Sequence, residues 1–163
     1  MPFKTLAQKT QMTENMIAVQ TLCTNKTGEV VDFHVASNNG QSSSVLEPAE
    51  HRALYPGISF ESSLQLRTIT VDDMLAHLGQ TYTADFSRIN VMMMDVQGAE
   101  HLVLQGSERT LSQLDAVFCE VSLGGLYADD MAFEDFQIFM RNNDFRICWA
   151  RLNRKGWGDA LFL

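Results

Sequence analysis

The stretch Ile89–Leu123, INVMMMDVQGAEHLVLQGSERTLSQLDAVFCEVSL, decides the fold class. It opens with a near-continuous apolar run, 89–96, the pattern of a strand buried on both faces. Gly98–Gln113 follows, with apolar residues at 99, 102, 103, 104 and 111 at helical spacing. Ala116–Leu123 (AVFCEVSL) is a second buried-strand pattern. Strand, helix, strand in this order predicts a parallel pair joined by a crossover helix. Downstream, Met131–Asn142 sets Phe133, Phe136, Phe139 and Met140 on one helical face, and 145–150 and 159–163 read as strands. Upstream, Thr70-Val71-Asp72-Asp73 opens a helix reaching Leu78, with Thr70 as N-cap and Gly79 as its stop. Ser63–Ile69 alternates as a half-exposed strand. Residues 16–24 and 29–36 form two further strands around the turn Asn25-Lys26-Thr27-Gly28 and read together as a hairpin or meander. Phe3–Gln11 is a short polar-apolar segment with room for a helical turn or two, and Ser37–Ser44 (SNNGQSSS) is loop chemistry. The prediction is an α/β fold with a mostly parallel sheet and helices on its faces.

The chain has 163 residues, enough for a single domain over 1–163 with a core that needs no disulfide or metal staple. Its formal net charge of −8 and lack of a basic cluster argue against nucleic acid as a partner. No apolar run approaches the ~20 residues that span a bilayer, so no membrane partner is expected. Cys23, Cys119 and Cys148 lie apart in apolar runs and read as buried thiols of a reducing compartment, which places the protein in the cytoplasm. The sequence has no strand followed by a glycine-rich loop and helix, so it carries neither a dinucleotide fingerprint nor a P-loop.

Ligands of parallel sheets bind at the carboxyl ends of strands. Asp95 ends the Met-rich strand and Glu120 sits inside the next one. An acid in so apolar a strand is costly unless it is paired, protonated or open to a crevice. The two could be neighbours, either as a pair for general-base work or as ligands of a hard cation such as Mg²⁺. Asp95 could instead orient the turn into the following helix. Within Asp95-Val96-Gln97-Gly98-Ala99-Glu100, Gly98 permits close backbone approach, and Glu100 stands where an acid reaches back to cap the helix. His101 reads as an exposed helix residue. His34, His51 and His77 stand alone without metal-ligand spacing. Asn38-Asn39-Gly40 is either a plain turn or part of a substrate loop, and Met92, Met93 and Met94 read as core filling.

SNNGQSSSVL (37–46), RTITVDDML (67–75), INVMMMDVQGAEHLVLQGSERTL (89–111), DAVFCEVSLGGLY (115–127), FEDFQIFMRNNDFRI (133–147) and GDALF (158–162) together resemble the FkbM family of S-adenosylmethionine-dependent methyltransferases, over about residues 15–163. The resemblance implies a Rossmann-like methyltransferase core with helices on both faces and O-methylation of a small-molecule or sugar-type acceptor. It implies S-adenosylmethionine as cofactor, with Asp95 and Glu120 catalytic, Gln97, Gly98 and Glu100 bordering the crevice and Tyr127 on its substrate side. The family's opening strand, glycine-rich cofactor loop and second strand have no counterpart here, so the N-terminal strands of the core are truncated. Their absence would leave the strands at 16–24 and 89–96 as open edges, to be paired with each other or covered by a homodimer or partner chain. The same absence supports a different reading, a non-catalytic methyltransferase-like binding or accessory module.

Overall fold

The computed structural model describes residues 2–13, 15–82 and 85–163. Thirteen elements follow one another: α1 (Pro2–Gln11), β1 (Leu22–Cys23), β2 (Val30–Ala36), α2 (His51–Leu54), β3 (Phe60–Ile69), α3 (Val71–Tyr82), β4 (Val91–Met94), α4 (Glu100–Gln105), α5 (Glu108–Leu111), β5 (Ala116–Ser122), α6 (Phe133–Asn142), β6 (Ile147–Leu152) and β7 (Trp157–Phe162). They form a three-stranded sheet in the order β1-β3-β2 and a four-stranded sheet in the order β4-β5-β7-β6. The fold is α/β as expected, but both sheets are mixed. Only β1–β3 and β4–β5 are parallel, while β2–β3, β5–β7 and β6–β7 are antiparallel.

The core explains which face of each element is apolar. Met94 of β4, Val117, Cys119 and Val121 of β5, and Ala160 and Phe162 of β7 point to one side of the four-stranded sheet. Val71, Val103, Leu104, Leu111, Phe136 and Met140 from α3 to α6 close over them. The aromatic stripe foreseen on α6 therefore lies where its spacing put it. The alternate residues of the same sheet face out, with Val91 at 52% and Met93 at 75% exposure, and Trp149 exposed with them. Among the described residues, helices do not cover both faces of this sheet. The expected strand buried on both faces is instead an edge strand open on one face, and only Met94 of the three methionines is fully in the core.

Other departures have local causes. Apolar residues 16–21 find no partner strand, so β1 shrinks to Leu22–Cys23. Strands β1 and β2 do not form a hairpin, because β3 inserts between them and pairs with both. The edges at β1 and β4 are not paired with each other. Thr70 caps α3 by accepting from the Asp73 amide, but Gly79 does not stop the helix, which runs to Tyr82. The helix expected across 98–113 breaks in two at Gly106, where a Cβ would meet the Thr24 carbonyl oxygen at 2.1 Å. Cys119 is buried, but Cys148 is exposed, and all three thiols are free.

That break is held by a carboxylate from another element. Asp72 accepts from the amides of Arg109 and Thr110, both 2.9 Å, and from the Thr110 hydroxyl, 2.7 Å, so it caps α5 from a distance of 37 residues or more along the chain. Burial alone would raise its pKa, but these hydrogen bonds and Arg109 hold it below the ordinary value. A carboxylate with a depressed folded-state pKa stabilises above its unfolded pKa and loses that contribution as pH falls through the folded one. Asp72→Asn should therefore cost about 1–2 kcal/mol at neutral pH and progressively less in acid. Urea unfolding of both proteins at neutral and acidic pH checks this; an equal loss at both would contradict it.

Candidate functional site

The site grows from the register of β4 on β5. Met94 lies beside Cys119 in a parallel ladder, so the next residues, Asp95 and Glu120, fall on neighbouring chains at the same level of the sheet. On its other side Glu120 stands opposite Asp159 of β7, so a row of acids crosses the sheet. Beyond Asp95 the chain turns sharply, with Gln97 at φ +55° and Gly98 at φ +89°. Gly98 is required there: its backbone is left-handed, and a Cβ would meet Tyr127 Cδ2 at 2.9 Å. The turn delivers Glu100 to the first position of α4, two positions earlier in the helix than the cap spacing suggested. Its carboxylate reaches back to accept from the Val96 amide at 2.8 Å.

Asp95, Glu100 and Glu120 then each present an oxygen within 4.8 Å of the others. Asp95 is exposed, Glu120 half-buried and Glu100 buried. Burial pushes Glu100 up to about 7 against the Val96 hydrogen bond. Burial, followed by the charges of Glu100, Asp95 and Asp159, pushes Glu120 up to about 8. Three carboxylates this close do not all ionise at neutral pH, so the cluster keeps a shared proton or attracts a hard cation.

Around the cluster, loops from both sheets lock together. Ser44 donates to the Gln97 carbonyl at 2.8 Å, and Gln97 Nε2 donates to Asp95 Oδ1. The buried Tyr127 hydroxyl lies 3.0 Å from the Ser42 carbonyl and 3.3 Å from Gln97 Oε1. Burial and the neighbouring acids raise the Tyr127 pKa, so the phenol stays neutral and donates. Asp130 sets the loop that carries Tyr127 by accepting from the amides of Gly125 and Leu126 and from the Ser122 hydroxyl. The backbone around α2 is stapled to the same loop, with Ala49 and His51 amides both donating to the Leu126 carbonyl.

These contacts enclose a cavity of about 450 Å³, bordered by Asp95, Glu120, Gln97 and Tyr127 and by the loop residues Asn38, Gln41 and Ser42. Its size suits a small-molecule ligand. All the residues foreseen for the site thus converge: Asp95, Gln97, Glu120 and Tyr127 border this cavity, and Gly98 and Glu100 border an adjoining crevice with Glu120 and Tyr127. Asn38, Gln41 and Ser42 of the 37–44 loop border the cavity, while Asn39 and Gly40 form a left-handed turn beside it. His101 is buried, contrary to the exposed position its helix suggested, because α4 packs that side against the 129–131 loop. His51, Tyr55 and Trp157 also border the cavity and were not foreseen. Trp157 Nε1 bonds Tyr55 Oη at 2.6 Å across 102 positions, a separation that leaves no local pattern to read.

A group whose folded-state pKa is raised loses stability as pH climbs from its unfolded to its folded value. With Glu120 displaced from 4.5 to about 8, stability should fall between about pH 5 and pH 8 from this source. Glu120→Gln should flatten that slope and raise the melting temperature at pH 8. Thermal melts across this range check it, and parallel slopes for the two proteins would contradict it.

No described helix is long and apolar enough to cross a membrane. Residues 2–147 match the family model of the methyltransferase FkbM domain. The chain is 29% identical over 103 residues to the 2-O-methyltransferase NoeI of Sinorhizobium fredii. That match covers 60% of this chain and about two fifths, 40%, of the relative's length. No solved structure matches. Because the family model covers nine-tenths of the sequence and includes the whole acidic turn, this chain belongs to the FkbM methyltransferase family.

Proposed function

We propose that the protein takes part in S-adenosylmethionine-dependent O-methylation, with the 450 Å³ cavity receiving a hydroxyl-bearing small molecule or sugar-type acceptor. The observation that carries this reading is the meeting of Asp95, Glu100 and Glu120 at the border of a ligand-sized cavity. O-methylation leaves a proton on the acceptor oxygen, and a carboxylate within hydrogen-bond reach can take it. Asp95 is assigned as that base. Glu120, raised to about 8, is protonated at neutral pH and supports it by donating a hydrogen bond toward the acceptor or Asp95. Gln97 aims Asp95, and Tyr127 together with Gly98 fixes the turn that carries both. Positioning donor and acceptor in near-attack geometry is the larger part of catalysis for an in-line displacement.

The described residues fit only the acceptor and proton-accepting half of such a site. Among them no glycine-rich loop links a strand to a helix beside β4, which is an edge strand. No step is therefore derived through the cofactor, and a binding module without catalysis is the second reading this observation favours. A homodimer or a partner chain covering the exposed Val91–Met93 edge belongs to the same proposal. A cytoplasmic setting suits the three free cysteines.

Radiolabelled methyl transfer to a panel of sugars and polyols, run at about millimolar S-adenosylmethionine to offset weak donor binding, separates the readings. Transfer supports the enzyme; its absence with every acceptor supports the binding module. In the active protein, Asp95→Asn should lower turnover by about 10²–10⁴-fold and change stability by no more than ~1 kcal/mol. A folded and fully active Asp95→Asn would remove Asp95 from the mechanism.

A further inference from the structure

His51 is 5% exposed, yet its Nδ1 has no hydrogen-bond partner among the described residues. The ring is held firmly, with centroids 4.9 Å from Tyr55, 5.4 Å from Phe60 and 5.4 Å from Tyr127. It borders the same cavity as Asp95 and Glu120. Phenylalanine would fill this aromatic nest without burying an unpaired nitrogen, so packing does not account for the imidazole. Burial and then Lys155 lower its pKa, which keeps the ring neutral, with one nitrogen donating and the other accepting. It is poorly suited to hold the proton lost in the reaction and well suited to bind a neutral hydroxyl.

The surroundings narrow the ligand. Trp157 spends its N–H on Tyr55 Oη, so it offers a ligand only ring carbon, while Tyr55 offers its ring face and keeps its hydroxyl proton to donate. Lys155 lies 3.7 Å from the Tyr55 ring centroid and also donates to the Leu54 carbonyl, fixing that wall. Asn38 and Gln41 bring amides to the cavity border. Aromatic carbon faces beside amides, an imidazole and carboxylates match a ring that has apolar C–H faces and a rim of hydroxyls. We propose that His51 is an acceptor-binding residue, its imidazole hydrogen-bonding a hydroxyl of a pyranose ring that rests against Tyr55 and Trp157. The proposal deepens the methyl-transfer reading and rests on its placement of the acceptor in this cavity.

Saturation-transfer NMR with the methyl pyranosides of glucose, galactose, mannose and fucose tests it without any donor present. The unmodified chain should bind at least one of them. His51→Phe, which keeps the ring and removes both nitrogens, should weaken that binding about tenfold or more while its melting temperature is unchanged or higher. His51→Gln, which restores an amide donor and acceptor, should recover part of the affinity. No binding of any glycoside to the unmodified chain would overturn the proposal. So would His51→Phe binding as tightly as the unmodified chain, or melting lower with binding per folded molecule intact. Because this assay is independent of turnover, glycoside binding that depends on His51 would stand even if methyl transfer failed, and methyl transfer insensitive to His51→Phe would sink this inference alone.

Discussion

The parallel register of β4 and β5 places two carboxylates side by side at the ends of adjacent strands, and much of the site can be understood as accommodating that pair. Strand spacing of just under 5 Å brings like charges closer than water would allow them to stay if both were ionised and buried. Glu100 adds a third oxygen, and Asp159 lies across the next ladder. The arrangement is tolerated because Asp95 remains open to solvent, Glu100 is bonded by the Val96 amide, and Glu120 has a raised proton affinity. A proton held near neutral pH at such a place is what acid–base chemistry on a hydroxyl requires.

The second organising contact is the seat of Tyr127 on Gly98. It joins the turn after β4 to the loop after β5, and through Ser42 and Ser44 to the loop after β2, which belongs to the other sheet. The cavity exists because these loops are tied together. Gln97 and Gly98, both left-handed, are the backbone cost of bringing the turn that close.

How far the sequence could be read follows from the range of each interaction. Asp95, Gln97, Gly98 and Glu100 lie within six residues, and their turn chemistry was visible in the text of the chain. The neighbourhood of Asp95 and Glu120 followed from strand–helix–strand order. The face of α6 was likewise carried by spacing alone. What was not visible depended on distant partners. Whether 89–96 is central or an edge depends on which strands flank it, which apolar content does not reveal. The split at Gly106 depends on the Thr24 carbonyl, 82 positions away, and the break is capped by Asp72 from α3. His51 offered no motif because its significance lies in Tyr127 and Trp157, each more than 70 positions downstream.

Glu100 and Glu120, close to each other and to the Asp95 carboxylate, titrate as a coupled pair that retains a proton at neutral pH. Carbon-13 NMR of the glutamate side-chain carboxyls, followed from pH 3 to 10, reads this directly. Two glutamate carboxyls should show transitions near 7 and 8, both moving to lower pH when Asp95 is replaced by Asn. All glutamate carboxyls ionising by about pH 5, as ordinary exposed groups do, would contradict it.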